Sequence, residues 1–206
     1  MKKIRNLTQI GYFLGLITMI FSFWGSFYSV GNNPKSILFF TIQSNFIVGI
    51  ACLFFLFNFS GTKNKFFAVF STIALFDILI TGIVFNIFLL DFLKTPIHVI
   101  QHMVTPVLYL LLYCFYMLDT LKIKDTLFLL IHPLLYFGFG LTLNIIGGKY
   151  TGEGYNPYAI YPFFDVYNFP KTNIPLLAGM LVSGTAIAFL IVYVKNSIER
   201  RFNGTN

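Results

Sequence analysis

Phe39-Phe40-Thr41-Ile42-Gln43-Ser44-Asn45 runs directly into Phe46-Ile47-Val48-Gly49-Ile50-Ala51-Cys52-Leu53-Phe54-Phe55-Leu56-Phe57. The second stretch is one that lipid would accept as a helix. Four residues of the first, Thr41, Gln43, Ser44 and Asn45, carry hydrogen-bonding side chains. Polar groups in a hydrocarbon span are costly, so they mark a helix contact or a functional site. A second such cluster, His98, Gln101 and His102, opens another apolar run.

Composition sets the class. Of 206 residues, 57% are hydrophobic and 10% charged, and several apolar runs exceed the length needed to cross a bilayer. The expectation is an all-α, polytopic membrane protein. It would be one compact domain of six transmembrane helices, over about 8–30, 36–59, 66–90, 97–118, 126–146 and 174–194. The outer loop would cover 147–173. The first run is too long for a signal-peptide core and reads as an uncleaved span. The net charge of +7 does not point to nucleic acid, because the basic residues sit at the ends of apolar runs and form no patch. Cys52 and Cys114 lie within apolar runs and read as small hydrophobes.

Six spans put both termini on one side. With that side cytoplasmic, ten Lys and Arg lie inside and four (Lys35, Lys94, Lys149, Lys171) outside. The positive-inside rule is then satisfied. The expected location is the bacterial plasma membrane.

On this topology the second and fourth spans both enter from the outer face. Thr41 is five residues past Ser36 and His102 five past Ile97, so both should lie roughly 8 Å below their helix starts. His132, seven residues after Asp125, should lie in the opposite half, and Asp77 near mid-span. A threonine hydroxyl needs a base before it can act as a nucleophile, and histidine is the usual one. Thr41 and Asn45 share a helix face, which suits Asn45 to support a developing oxyanion. Pro106 lacks an N–H, so the carbonyl of His102 loses its intrahelical donor and a polar notch opens beside the base.

Structural readings stand beside these. Thr and Ser often bond their own backbone four residues back, and Asn and Gln join helices. His98 reads as an interfacial residue. His98 and His102 are also an i, i+4 pair suited to zinc, and Asp77 and His132 would complete four ligands. The expected depth of His132 argues against that set, so no metal and no cofactor is expected. Asp77 and His132 could instead pair with each other, fixing helix packing or serving a proton path.

The motifs resemble the androgen-induced and androgen-dependent membrane proteins, multi-span threonine hydrolases of fatty-acid esters of hydroxy fatty acids, and most closely a bacterial six-span branch. The resemblance covers about residues 8–196. It rests on FFTIQSN at 39–45, QHMVTP at 101–106, His132-Pro133-Leu134-Leu135-Tyr136 and Tyr161-Pro162-Phe163-Phe164-Asp165. It implies Thr41 as nucleophile and His102 as base. The histidine-to-proline spacing is four here, against five in the animal members. The expected activity is lipid ester hydrolysis on a fatty-acyl ester, with site support from Asn45, Gln101, His98 and Asp165. The alternatives are a non-enzymatic lipid binder or transporter and a zinc-dependent intramembrane hydrolase.

Residues 147–173 should form an outer-face cover over the second and fourth helix starts. Their tyrosines suit either a lid or an interfacial anchor. Asp165 would sit at the cavity mouth and accept from His98. Removing Phe163 and Phe164 should then impair turnover more than stability.

Overall fold

The computed structural model describes residues 2–57, 65–88, 95–117, 121–149, 156–161, 164–167 and 170–203. Among them all regular structure is helical: α1 (Lys2–Asn32), α2 (Phe40–Leu56), α3 (Lys65–Phe88), α4 (Pro96–Tyr116), α5 (Ile131–Gly147) and α6 (Pro170–Asn203). Five stretches, in α1, α3, α4, α6 and the segment Ile123–Gly147 that contains α5, are long and apolar enough to cross a membrane. The bundle's outer surface is apolar as well, with Phe13, Trp24, Phe27, Val107, Leu135, Val182 and Leu190 all exposed. An outward face of that kind belongs in lipid.

α3 is the central helix: 61% of its apolar stretch is buried, against 22% for that of α6. It packs on α2, α4, α5 and α6, while α1 lies against α2 and α4. One core, including Val48, Cys52, Leu75, Ile78 and Leu112, fills the space among α2, α3 and α4. Buried hydroxyls inside it are paired, Tyr113 with Thr72 at 2.6 Å and Tyr109 donating to the Ser71 carbonyl at 3.0 Å. A second core joins Phe76 of α3 to Leu129 and to Ala188 and Val192 of α6. Cys52 and Cys114 are unpaired, and Cys52 belongs to the first core.

Three local departures from the sequence expectation shape the interior. The second helix is not continuous from Ser36. Pro34–Leu38 is a 3-10 turn capped by Asn33, whose side chain accepts from the Lys35 N–H. Phe39 is extended, and α2 begins at Phe40 with 17 residues. Tyr136 of α5 holds this break: its hydroxyl donates to the Leu38 carbonyl at 2.9 Å and accepts the Phe40 N–H at 3.1 Å. One side chain thus partners the last group of the turn and the first of the helix.

In α4, residues Ile100–Val104 are π-helical, and the Thr105 N–H bonds the Ile100 carbonyl. Pro106 cannot donate to the carbonyl of His102, and the wider turn absorbs that missing bond. The freed carbonyl sits over Gly82 of α3 and accepts from Asn86 at 3.5 Å.

Finally, a 3-10 segment, Ile123–Leu130, precedes α5 and begins three residues before the expected span. Asp125, expected in a charged loop, accepts from the Lys122 N–H and pairs with Lys65 at 3.1 Å. A 3-10 helix rises about 2.0 Å per residue. His132 therefore lies roughly 17 Å along the axis from Ile123, against the roughly 10 Å from Asp125 implied by an α-helix.

The described parts of the outer segment fold inward. Ala159 and Phe164 form a third core with Phe40 and Tyr136. The rings of Tyr161 and Phe39 are 5.7 Å apart. This cover lies on the start of α2 and on α5; its expected contact with the fourth helix is not part of this core. Phe164 is 0% exposed and presses on Gly140, where a Cβ would come within 2.7 Å of its ring. Phe164→Ala would therefore chiefly lower stability, contrary to the sequence expectation, and Phe163 lies outside the described residues. Gly140→Val should force Phe164 out and destabilise the fold by about 1–3 kcal/mol, the usual range for overpacking. A thermal melt of the purified protein checks this; an unchanged midpoint would mean that Phe164 does not need that contact.

Candidate functional site

Between α3, α5 and α6 lies a cavity of about 430 Å³. Its wall is mostly apolar, with Ile80, Val84, Leu134, Phe137, Met180 and Ile187 among its residues. The polar groups on it include Thr41, Thr81, His102, Tyr136 and Tyr161. Thr41 and His102 thus share one cavity, as their common depth suggested. Thr81 connects the two sides: its hydroxyl donates to Ser44 Oγ at 3.2 Å, one turn beyond Thr41, and its backbone faces the His102 ring.

Thr41 is the second residue of α2, not a residue one turn inside a longer helix. The first N–H groups of a helix have no intrahelical acceptor. The Phe40 N–H goes to Tyr136, and those of Ile42 and Gln43 reach the Phe39 carbonyl. Tyr161 meets the backbone of Phe40 and Thr41 and shares side-chain hydrogen bonds with Thr41 and Tyr136. Burial pushes the Tyr161 phenol above its ordinary value, against the pull of those hydrogen bonds, so it stays protonated at neutral pH.

His102 is 7% exposed and stacks on Phe85, with ring centroids 3.6 Å apart and planes at 15°. Its Nδ1 has no hydrogen-bond partner among the described residues. His98 lies 6.4 Å away, ring to ring, and is only partly buried.

The other expected site residues go elsewhere. Asn45 is fully buried, and its amide donates to the Thr41 carbonyl at 2.8 Å and to the Gln101 carbonyl at 3.5 Å. It joins α2 to α4 and does not present its amide to the cavity. Gln101 points at α1, donating to Ser29 Oγ at 3.1 Å beside Gly25. Both act as the helix-joining amides of the structural reading. Asp165 is buried beside α5, between Phe164 on Gly140 and Val166, whose N–H donates to Asn144 Oδ1. From this segment the cavity wall takes Tyr161, not Asp165.

No protein-family model, curated protein or solved structure matches this chain.

A second polar center lies behind the wall. His132 is at the level of the α2 start, not in the opposite half of the bundle, and stacks on Phe40 at 5.1 Å. Its Nε2 donates to Gln43 Oε1 at 3.2 Å, while the Gln43 amide donates to the Ile37 carbonyl. Its Nδ1 lies 2.8 Å from Asp77 Oδ2, a close contact not aligned as a hydrogen bond. The four residues of the zinc reading fall into two pairs, Asp77 with His132 and His98 with His102. Among the described residues no three His, Cys, Asp or Glu come together in a metal-binding group.

Thr81, Phe85 and Gly179 had no place in the sequence reading of the site. Thr81 was visible as a hydroxyl within an apolar run. Tyr161 belongs to one of the motifs of the resemblance and to the tyrosines of the outer segment, and neither gives it a role at Thr41.

Proposed function

We propose that this protein is an intramembrane ester hydrolase that acts on a fatty-acyl ester from the outer leaflet. It would cross the bacterial plasma membrane six times, with α2 as the shortest span and both termini cytoplasmic. The observation that carries the reading is the shared cavity: Thr41 and His102 both line one apolar space large enough for an acyl chain. Its volume falls within the roughly 300–1,000 Å³ usual for small-molecule sites. The motif resemblance to threonine hydrolases points to the same two residues.

In this mechanism Thr41 Oγ attacks the acyl carbonyl carbon as His102 takes the hydroxyl proton. The carbonyl π pair moves onto oxygen, then returns as the ester C–O bond breaks. The departing alcohol receives the proton from His102. Water next attacks the acyl-threonine, giving its proton to His102, and the fatty acid leaves as that proton returns to Thr41. A fluorophosphonate probe tests the assignment in the intact protein. Labelling that disappears in Thr41→Ala supports it; an unlabelled, folded wild type favours a lipid binder without covalent chemistry.

The acyl chain would extend between α5 and α6. Gly179 is on that wall, and among the described residues no atom lies within 4 Å of where its Cβ would be, so there is room for a larger side chain. Gly179→Phe should therefore shift hydrolysis towards shorter acyl esters by about tenfold, on the scale of a few methylenes in an apolar pocket. Relative kcat/KM across a chain-length series measures it. An unchanged profile would put the chain elsewhere.

A further inference from the structure

We propose that Tyr161 is a catalytic residue of this site, donating its phenolic hydrogen to the oxyanion that forms when Thr41 attacks. The inference rests on the hydrolase reading and adds a part that reading lacks. An acyl-transfer site needs donors aimed at the developing oxyanion. Asn45, the side chain suited to that role by sequence, has its amide committed to two backbone carbonyls.

The geometry offers another set. Tyr161 lines the cavity and is hydrogen-bonded with the Thr41 side chain, so its hydroxyl lies at the bond-forming atom. Because α2 starts at Phe40, the Thr41 N–H is a helix-start donor pointing to the same place. His102 lines the same cavity, and its Nδ1 is buried and unpartnered among the described residues. A carbonyl oxygen that enters between Tyr161 and Thr41 takes over both donors, the Tyr161 hydroxyl and the Thr41 N–H, which in the free site are engaged with each other and with the Thr41 hydroxyl. Tyr161 keeps its proton throughout. It stabilises charge, while His102 moves the proton.

The position is fixed by packing. The Tyr161 ring lies against Phe39, Tyr136 and Phe164, and Tyr136 is itself bonded to both sides of the Phe39 break. Removing only the hydroxyl leaves those ring contacts in place.

The test compares wild type, Thr41→Ala, Tyr161→Phe and Tyr158→Phe in nanodiscs, with p-nitrophenyl octanoate as probe. Tyr161→Phe should lower kcat by about 10²–10³-fold, as loss of one oxyanion donor does, with KM within about threefold. Tyr158→Phe, exposed on the same segment, should match wild type. A Tyr161→Phe protein with kcat within threefold of wild type overturns the inference, while abolished activity in Thr41→Ala leaves the hydrolase reading standing. A folded wild type that neither hydrolyses the probe nor reacts with fluorophosphonate overturns both. Should Tyr161→Phe fail to fold, 3,5-difluorotyrosine in place of Tyr161 keeps the shape and makes the phenol more acidic. An altered kcat with the alkaline limb of the pH profile moved to lower pH supports the role, and an unmoved profile overturns it.

Discussion

Thr41→Ala should reduce ester hydrolysis to background, and His102→Ala should slow it by about 10²–10⁴-fold, the range for a positioned general base. The first variant has no atom to form the acyl-enzyme bond. The second keeps the hydroxyl but leaves its proton to water in a largely apolar space. Thr41→Ala removes little volume and should keep the fold, whereas His102→Ala removes a buried ring stacked on Phe85, so His102→Gln is the variant to use if the alanine lowers stability. His98→Ala is the informative control, because that ring is next to His102 and is not among the cavity-lining residues. Turnover of p-nitrophenyl octanoate, measured with the melting midpoint, separates chemistry from folding. Substantial hydrolysis by His102→Ala would place the base elsewhere.

The largest expected stability loss is at the second polar center. Asp77 is 0% exposed, and His132 is the one ion-pair partner described for it. His132→Ala should destabilise the protein by about 3–5 kcal/mol, because one half of a buried pair is left without compensation. The double variant Asp77→Leu, His132→Leu should recover much of that, since apolar residues of similar volume often replace such a pair without loss. Equilibrium unfolding in detergent gives both values. A double variant no better than the single would mean that the pair does more than satisfy itself.

The helices were legible because long apolar runs broken by short polar stretches leave few other solutions. That Thr41 and His102 line one cavity agrees with the expectation, but the equal distances from two helix starts behind it do not hold, since Thr41 is the second residue of α2 and His102 the seventh of α4. What failed did so partly through groups distant in sequence and partly through local helix type. The break at Phe39 is held by Tyr136, nearly a hundred positions away, and no local signal announces it. Pro106 gave away a missing donor, but not that a π turn would absorb it. His132 was put at the wrong level because its segment starts earlier, at Ile123, and because a 3-10 segment climbs faster than an α-helix. Asn45 and Gln101 have the chemistry of oxyanion donors, and only their partners reveal them as fasteners between helices.

The cavity between α5 and α6 has walls that reach the apolar exterior, where Leu134 and Leu181 are exposed. If that side faces acyl chains, substrate arrives by diffusing within the leaflet and never crosses water. The quantity that governs the rate is then substrate per unit area of bilayer, not molarity. An inert phospholipid becomes a diluent, and a fatty acid released into the same leaflet stays close enough to compete for the site. For the hydrolase proposed above, turnover in a cell would follow the composition of one monolayer, and the protein would behave as a reader of its own solvent.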